Sequence, residues 1–177
     1  SLLATASGGL GPYQYSLDGN SFQTSPTFAG LPAGSFTLHV RDANQCDQSL
    51  PFTITEPTDL GLSILSQKNV DCFGNNSGEI LLSGNGGVPA YEFSLDNGPF
   101  GNSNNFSGLV SGNYLIRIRD ANLCLDSIPV TITEPQALST SIVEQKNVTC
   151  QGEQNGWVNL IGTGGVSPYA FSMDGIT

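Results

Sequence analysis

The chain has 177 residues, five of them basic and fifteen acidic, for a formal net charge of −10. Such a surface repels phosphate backbones and anionic lipid, which argues against nucleic-acid or membrane partners, and no apolar run approaches the roughly 18 residues of a membrane span. Charged residues make up only 11%, about half the usual share, so Ser, Thr, Asn, Gln and Gly must cover the surface, a skin that suits a secreted protein.

Read from the start, Ser1-Leu2-Leu3 opens directly into a strand-like pattern with no signal peptide, as in an internal fragment. Gly8-Gly9 predicts a bend with positive φ before the strand around Tyr13 and Tyr15. Asp18-Gly19-Asn20 is a hairpin signal. Gly30-Leu31-Pro32-Ala33-Gly34 turns the chain into a strand in which Phe36, Leu38 and Val40 face one side and Thr37, His39 and Arg41 the other. Phe52-Thr53-Ile54-Thr55 is a further alternating strand, and Glu56-Pro57 ends the pattern.

The pattern then restarts. Tyr13, Tyr91 and Tyr169 are spaced by 78 residues (13 to 91 to 169), and the same step links Cys46 to Cys124, Cys72 to Cys150 and Glu56 to Glu134. In the second copy Tyr114, Ile116 and Ile118 face inward, Val130-Thr131-Ile132-Thr133 alternates, and Asp96-Asn97-Gly98 is the hairpin turn. Gly86-Gly87 and Gly164-Gly165 repeat the bend. No stretch has helical periodicity. About seven short strands per copy, at 8–12-residue intervals, predict an all-β fold of tandem Ig-like (PKD- or fibronectin-III-like) β-sandwich repeats of about 78 residues joined end to end. The expected divisions are 1–57 (a partial repeat lacking its first strand), 58–135 (complete) and 136–177 (partial), or alternatively 1–73, 79–151 and 157–177.

The motifs Gly86-Gly87 to Asp96, Phe106 to Tyr114, Arg119-Asp120-Ala121-Asn122-x-Cys124 and Thr131-Ile132-Thr133-Glu134-Pro135, matched in the first copy from Gly8 to Pro57, resemble the SprB-type repeat of large surface adhesins of gliding Bacteroidetes. The resemblance implies export by the type IX secretion system, display as filaments on the cell surface, and a part in adhesion or gliding motility. Asp126-Ser127-Ile128 resembles the O-glycosylation acceptor pattern of those bacteria, with Ser127 as the attachment point.

Four cysteines are too few to build the fold, yet their fixed phase suggests pairing. Cys72 with Cys124 would join opposite poles of one sandwich. Cys46 with Cys72, and Cys124 with Cys150, avoids that conflict if each segment after Glu-Pro folds back beside the preceding strand. That arrangement is the favoured expectation, worth about 3–4 kcal/mol per closed loop. Four buried free thiols are the alternative.

No catalytic residue is expected. His39 is the sole histidine, at an outward strand position, and Gly84-Asn85-Gly86-Gly87 lacks the Lys and helix of a phosphate loop. Asp18 and Asp96 read as turn caps. Calcium is the one cofactor with candidate ligands: Asp42, Asn44 and Asp47, then Asp120, Asn122 and Asp126, with Glu56 and Glu134 at the boundaries. Asx turns explain these residues better, because too few oxygens are nominated. The paired aromatics, Tyr13 with Tyr15 and Tyr91 with Phe93, read as core. Trp157, standing where the second copy has Glu79, is the candidate for an exposed glycan-stacking ring. The functional expectation is a non-enzymatic stalk or spacer whose partners are neighbouring repeats and an extracellular polysaccharide or surface. The alternatives are a repeated weak glycan-binding module and a non-catalytic appendage of a secreted enzyme.

Overall fold

The structure is a computed structural model that describes residues 2–173. It is all-β, with several sheets in a sandwich-like arrangement and no helix among the described residues; accordingly none is long and apolar enough to cross a membrane. The chain divides into two compact units, 1–57 and 58–177.

The second unit holds the most complete sandwich. Its strands are β6 (Gly61–Lys68), β7 (Gly78–Asn85), β8 (Glu92–Leu95), β9 (Asn105–Leu109), β10 (Gly112–Arg119) and β11 (Leu125–Ile132). They form two antiparallel sheets, β6-β7-β9 and β8-β10-β11. Alternation decides what each sheet buries. Ile80 and Leu82 on β7, Ile116 and Ile118 on β10, and Val130 and Ile132 on β11 point inward and meet Val70, Phe93 and Leu109. Ile80, Leu82, Ile116 and Ile118 have no exposed surface. Burying each such side chain contributes about 1.5–3 kcal/mol, so these few positions carry most of the driving force for a small domain.

There are six strands in this repeat, not the seven expected. The segment between β8 and β9 does not extend into a ladder; it is held by one bridge, Phe93 to Gly101, and by Asn104, whose carbonyl and side-chain amide bond the backbone of Leu82. β11 ends its sheet, and Pro129 in its middle has no N–H to offer a neighbouring strand.

The two end strands of the repeat lie side by side. Leu62 N–H donates to Asp126 Oδ2 (3.0 Å) and Gln67 Nε2 to the Thr131 carbonyl (2.8 Å). Val70 N–H donates to the Thr133 carbonyl (2.9 Å), and Thr133 N–H to Asn69 Oδ1 (3.1 Å). Partner numbers rise together, so β6 and β11 run parallel and close one side of the sandwich by a seam that is mostly side-chain mediated. The repeat therefore begins at one pole and ends at the other.

After Pro135 the pattern restarts with β12 (Ser139–Lys146) and β13 (Trp157–Thr163), an antiparallel pair. Its register reproduces that of β6 and β7 at the 78-residue step, including the irregularity at Ile142/Glu144 that matches Ile64/Ser66.

The first unit contains β1 (Leu2–Leu3), β2 (Gln14–Ser16), β3 (Thr27–Phe28), β4 (Gly34–Arg41) and β5 (Asp47–Ile54). They pair as β1-β3 and β2-β4-β5, counterparts of β7 with β9 and of β8-β10-β11. None of its described residues forms a counterpart of β6. Its core is smaller: Ala4, Tyr15 and Leu38 are buried, with Tyr13, Phe28, Val40 and Phe52 packed against them.

Candidate functional site

Two of the recurring motifs, the glycine bend and the Arg-Asp-Ala-Asn turn, meet at one pole of the second repeat. In the second repeat Gly86 (φ 66°) and Gly87 (φ 54°) adopt the left-handed bend expected of them. A Cβ on Gly86 would overlap the Asp59 carbonyl, and Gly87 N–H donates to the Thr58 carbonyl (2.8 Å). The bend thus grips the incoming linker, and only glycine fits. The Tyr91 hydroxyl donates to the Gly86 carbonyl (2.7 Å) and fixes the far side of the bend. Tyr13 to Gly8 (2.5 Å) and Tyr169 to Gly164 (2.6 Å) repeat the contact.

Asp120 locks this pole. It is 3% exposed. Its Oδ2 accepts from Val88 N–H (2.8 Å), and its Oδ1 from Asn122 N–H (2.9 Å) and Cys124 N–H (2.8 Å). These donors, Val88 foremost, hold its carboxyl below the usual carboxylate range. Asp42 does the same in the first unit, accepting from Leu10, Asn44 and Cys46, and its pKa is lowered too, with Leu10 the main cause. The Arg-Asp-Ala-Asn signature is therefore an Asx turn that staples two loops. The preceding arginine packs outside it: Arg119 pairs with Glu92 and lies 4.5 Å from the Phe100 ring centroid, while Arg41 lies 3.8 Å from that of Phe22.

Of the other calcium candidates, Asp126 and Glu134 also accept backbone N–H groups. Asp126 accepts from Leu62 and Ser127 N–H. Glu134 Oε2 accepts from Gly74 N–H (2.6 Å), which lowers its pKa, with Ser111 a lesser cause. Asp47 lies 3.6 Å from His39 Nδ1, Asn44 and Asn122 serve as turn residues, and Glu56 is exposed. Among the described residues no group of three or more His, Cys, Asp or Glu side chains could hold a metal ion. Asp18 and Asp96 are turn caps. Asp18 accepts from Asn20 and Ser21 N–H, which together with Ser16 lowers its pKa, Ser21 being the main cause. Asp96 accepts from Leu115 N–H (2.8 Å).

The cysteines correct the expectation. Cys46, Cys72, Cys124 and Cys150 are all free, and all are exposed rather than buried. The hairpin that would carry Cys124 to Cys150 does not form, because β12 takes β13 as its ladder partner and leaves β11 alone. Cys72 and Cys124 sit at opposite poles, the one beyond the end of β6 and the other just before β11 begins.

Ser127 is exposed on β11. Trp157 is 47% exposed at the start of β13, opposite Lys146. Tyr15 and Phe93 are buried in their cores, with Tyr13 and Tyr91 packed on them, whereas Tyr169 and Phe171 of the third copy are exposed.

A cavity of about 640 Å³ is lined by Leu138, Leu160, Tyr169 and Phe171 with Asp71, Cys72 and Phe73. At the 78-residue step the first four correspond to Leu60, Leu82, Tyr91 and Phe93, which form the core of the second repeat. Its apolar wall is thus core-type surface, not a built ligand site. Sequence reasoning missed the seam between β6 and β11; Asn69, Gln67 and Asp126 stand there with no local pattern to mark them.

Neither a curated protein nor a solved structure matches the chain. The SprB repeat family matches residues 64–100 and 142–177, two stretches one 78-residue step apart that run from the first strand of a copy into the segment after the glycine bend, and these two stretches are what the chain shares with the SprB repeat.

Proposed function

We propose that the chain is a load-bearing spacer in the stalk of a secreted cell-surface adhesin. One observation carries this reading: the end strands of the second repeat are parallel neighbours whose termini leave at opposite poles. Tension applied through the linkers at residues 58 and 135 pulls β6 and β11 past one another. The bonds from Leu62 to Asp126, Gln67 to Thr131, Asn69 to Thr133, Val70 to Thr133 and Gly74 to Glu134 are then loaded together, in shear. Bonds that must break together resist more than bonds that open in sequence. The eight residues of β6 span about 26 Å at roughly 3.3 Å each, so each repeat adds reach at small cost in chain.

The composition supports display outside the cell, and the SprB repeat supports adhesion or gliding as the setting. The polar atoms of the signature residues are consumed in holding the fold, which fits a mechanical role better than a reaction centre. The experiment is single-molecule pulling on the chain held at its two ends. A peak in force before each release supports the spacer; extension without peaks excludes it. The exposed face of Trp157 favours glycan binding as a second reading. Retention on immobilised polysaccharide that Trp157→Ala abolishes would select it over the spacer.

A further inference from the structure

The cysteines fall into two classes by position. Cys72 and Cys150 follow the first strand of a copy; Cys46 and Cys124 sit in the Asx turn at the glycine-bend pole. Within one repeat the two classes are separated by the length of a strand, about 26 Å, far beyond the roughly 7 Å between Cα atoms that a disulfide tolerates.

Across the step from one repeat to the next the geometry differs. Cys72 and Phe73 of the second repeat border the same cavity as Gly165 and Val166, the glycine bend of the third. In a finished repeat that bend is joined to the cysteine-bearing turn. Val88, the counterpart of Val166, donates to Asp120 Oδ2 (2.8 Å) and accepts from Ala121 N–H (2.9 Å), three residues from Cys124. In the first unit Cys46 borders the bend directly, beside Gly8 and Gly9. The two classes therefore approach one glycine bend from two sides: one from the preceding repeat, the other from the bend's own repeat.

We propose that Cys72 forms a disulfide with the cysteine that a following repeat carries in the position of Cys124, so that successive repeats are stapled across their joint. The inference rests on the spacer reading and specifies how the joint bears load. Two thiols react with a small-molecule disulfide such as oxidised glutathione. The sulfurs of the joint bond to each other, and the two hydrogens and two electrons they lose appear in two molecules of glutathione.

The test uses the chain extended after residue 177 by a second copy of residues 100–135, which completes the third repeat in register and adds a fifth cysteine. The extended chain and the original are equilibrated with oxidised glutathione, alkylated and mapped without reduction. The original keeps all four thiols. The extended chain joins Cys72 to the added cysteine and leaves the other three alkylated; Cys72→Ser abolishes the cross-link and Cys150→Ser does not. Five alkylated thiols, or a bridge between Cys124 and Cys150, would overturn the proposal. Pulling the reduced extended chain separates the two ideas, since force peaks without any cross-link leave the spacer standing and sink the staple alone.

Discussion

At Asp120 one buried carboxylate receives three backbone N–H groups and ties the glycine bend to the turn before β11. A group held this way binds its proton more weakly folded than unfolded. Its contribution is complete above the unfolded carboxylate pKa of about 4 and disappears as pH falls through the lower folded value. Asp120→Asn keeps the shape but loses an acceptor toward Val88. We expect a lower Tm at neutral pH and a shallower fall of Tm below pH 4 than in the parent, read from melting curves across pH; parallel curves would contradict the assignment. Because the same oxygens are occupied, melting in calcium and in chelator should superimpose, and a rise of Tm with calcium would show that the Asx turns open to bind it. Gly84 makes a different kind of point. A Cβ there would overlap Ile118 and come within 2.9 Å of Tyr91, so Gly84→Ala should cost about 1–3 kcal/mol in urea unfolding. The turn role of Asp42 and Asp120 was legible in the sequence, since Asp-x-Asn before a strand is an Asx-turn pattern. The exposure of the cysteines was not, because it depends on which strands become neighbours.

Among the elements, period-two alternation located the strands around Phe36 and Ile116 and assigned their inward faces. Leu38, Ile116 and Ile118 are buried, and Phe36 and Tyr114 are half-buried. Strand number was less legible: the segment from 99 to 104 has turn chemistry and one bridge, and the sequence alone does not separate that from a short strand. The seam between β6 and β11 was not legible at all. Its partners are about 64 residues apart and meet through Asn, Gln and Asp side chains that also occur throughout the surface. Two variants distinguish core from seam. Ile118→Ala removes fully buried methyl groups and should cost about 2–5 kcal/mol at equilibrium. Asn69→Ala removes one seam acceptor for Thr133 N–H at an exposed position. It should lower the unfolding force clearly while moving the urea midpoint far less than Ile118→Ala does. An unfolding force unchanged by Asn69→Ala would mean that the seam does not bear the load.

For the molecule as a whole, the 78-residue step is the organising fact, and it appears in the spacing of the tyrosines, in the ladder registers and in the family matches alike. It gives the second repeat a sandwich with its own core, gripped by a glycine bend at the pole where the chain arrives and by Glu134 on Gly74 where it departs. Single-molecule pulling tests this most directly. Seventy-eight residues reach about 28 nm when extended, so subtracting a folded repeat about 4 nm long gives a release of about 24 nm, preceded by a distinct force peak that Asn69→Ala lowers. A single release spanning the whole chain, or extension with no peak, would contradict independent repeats clamped in shear.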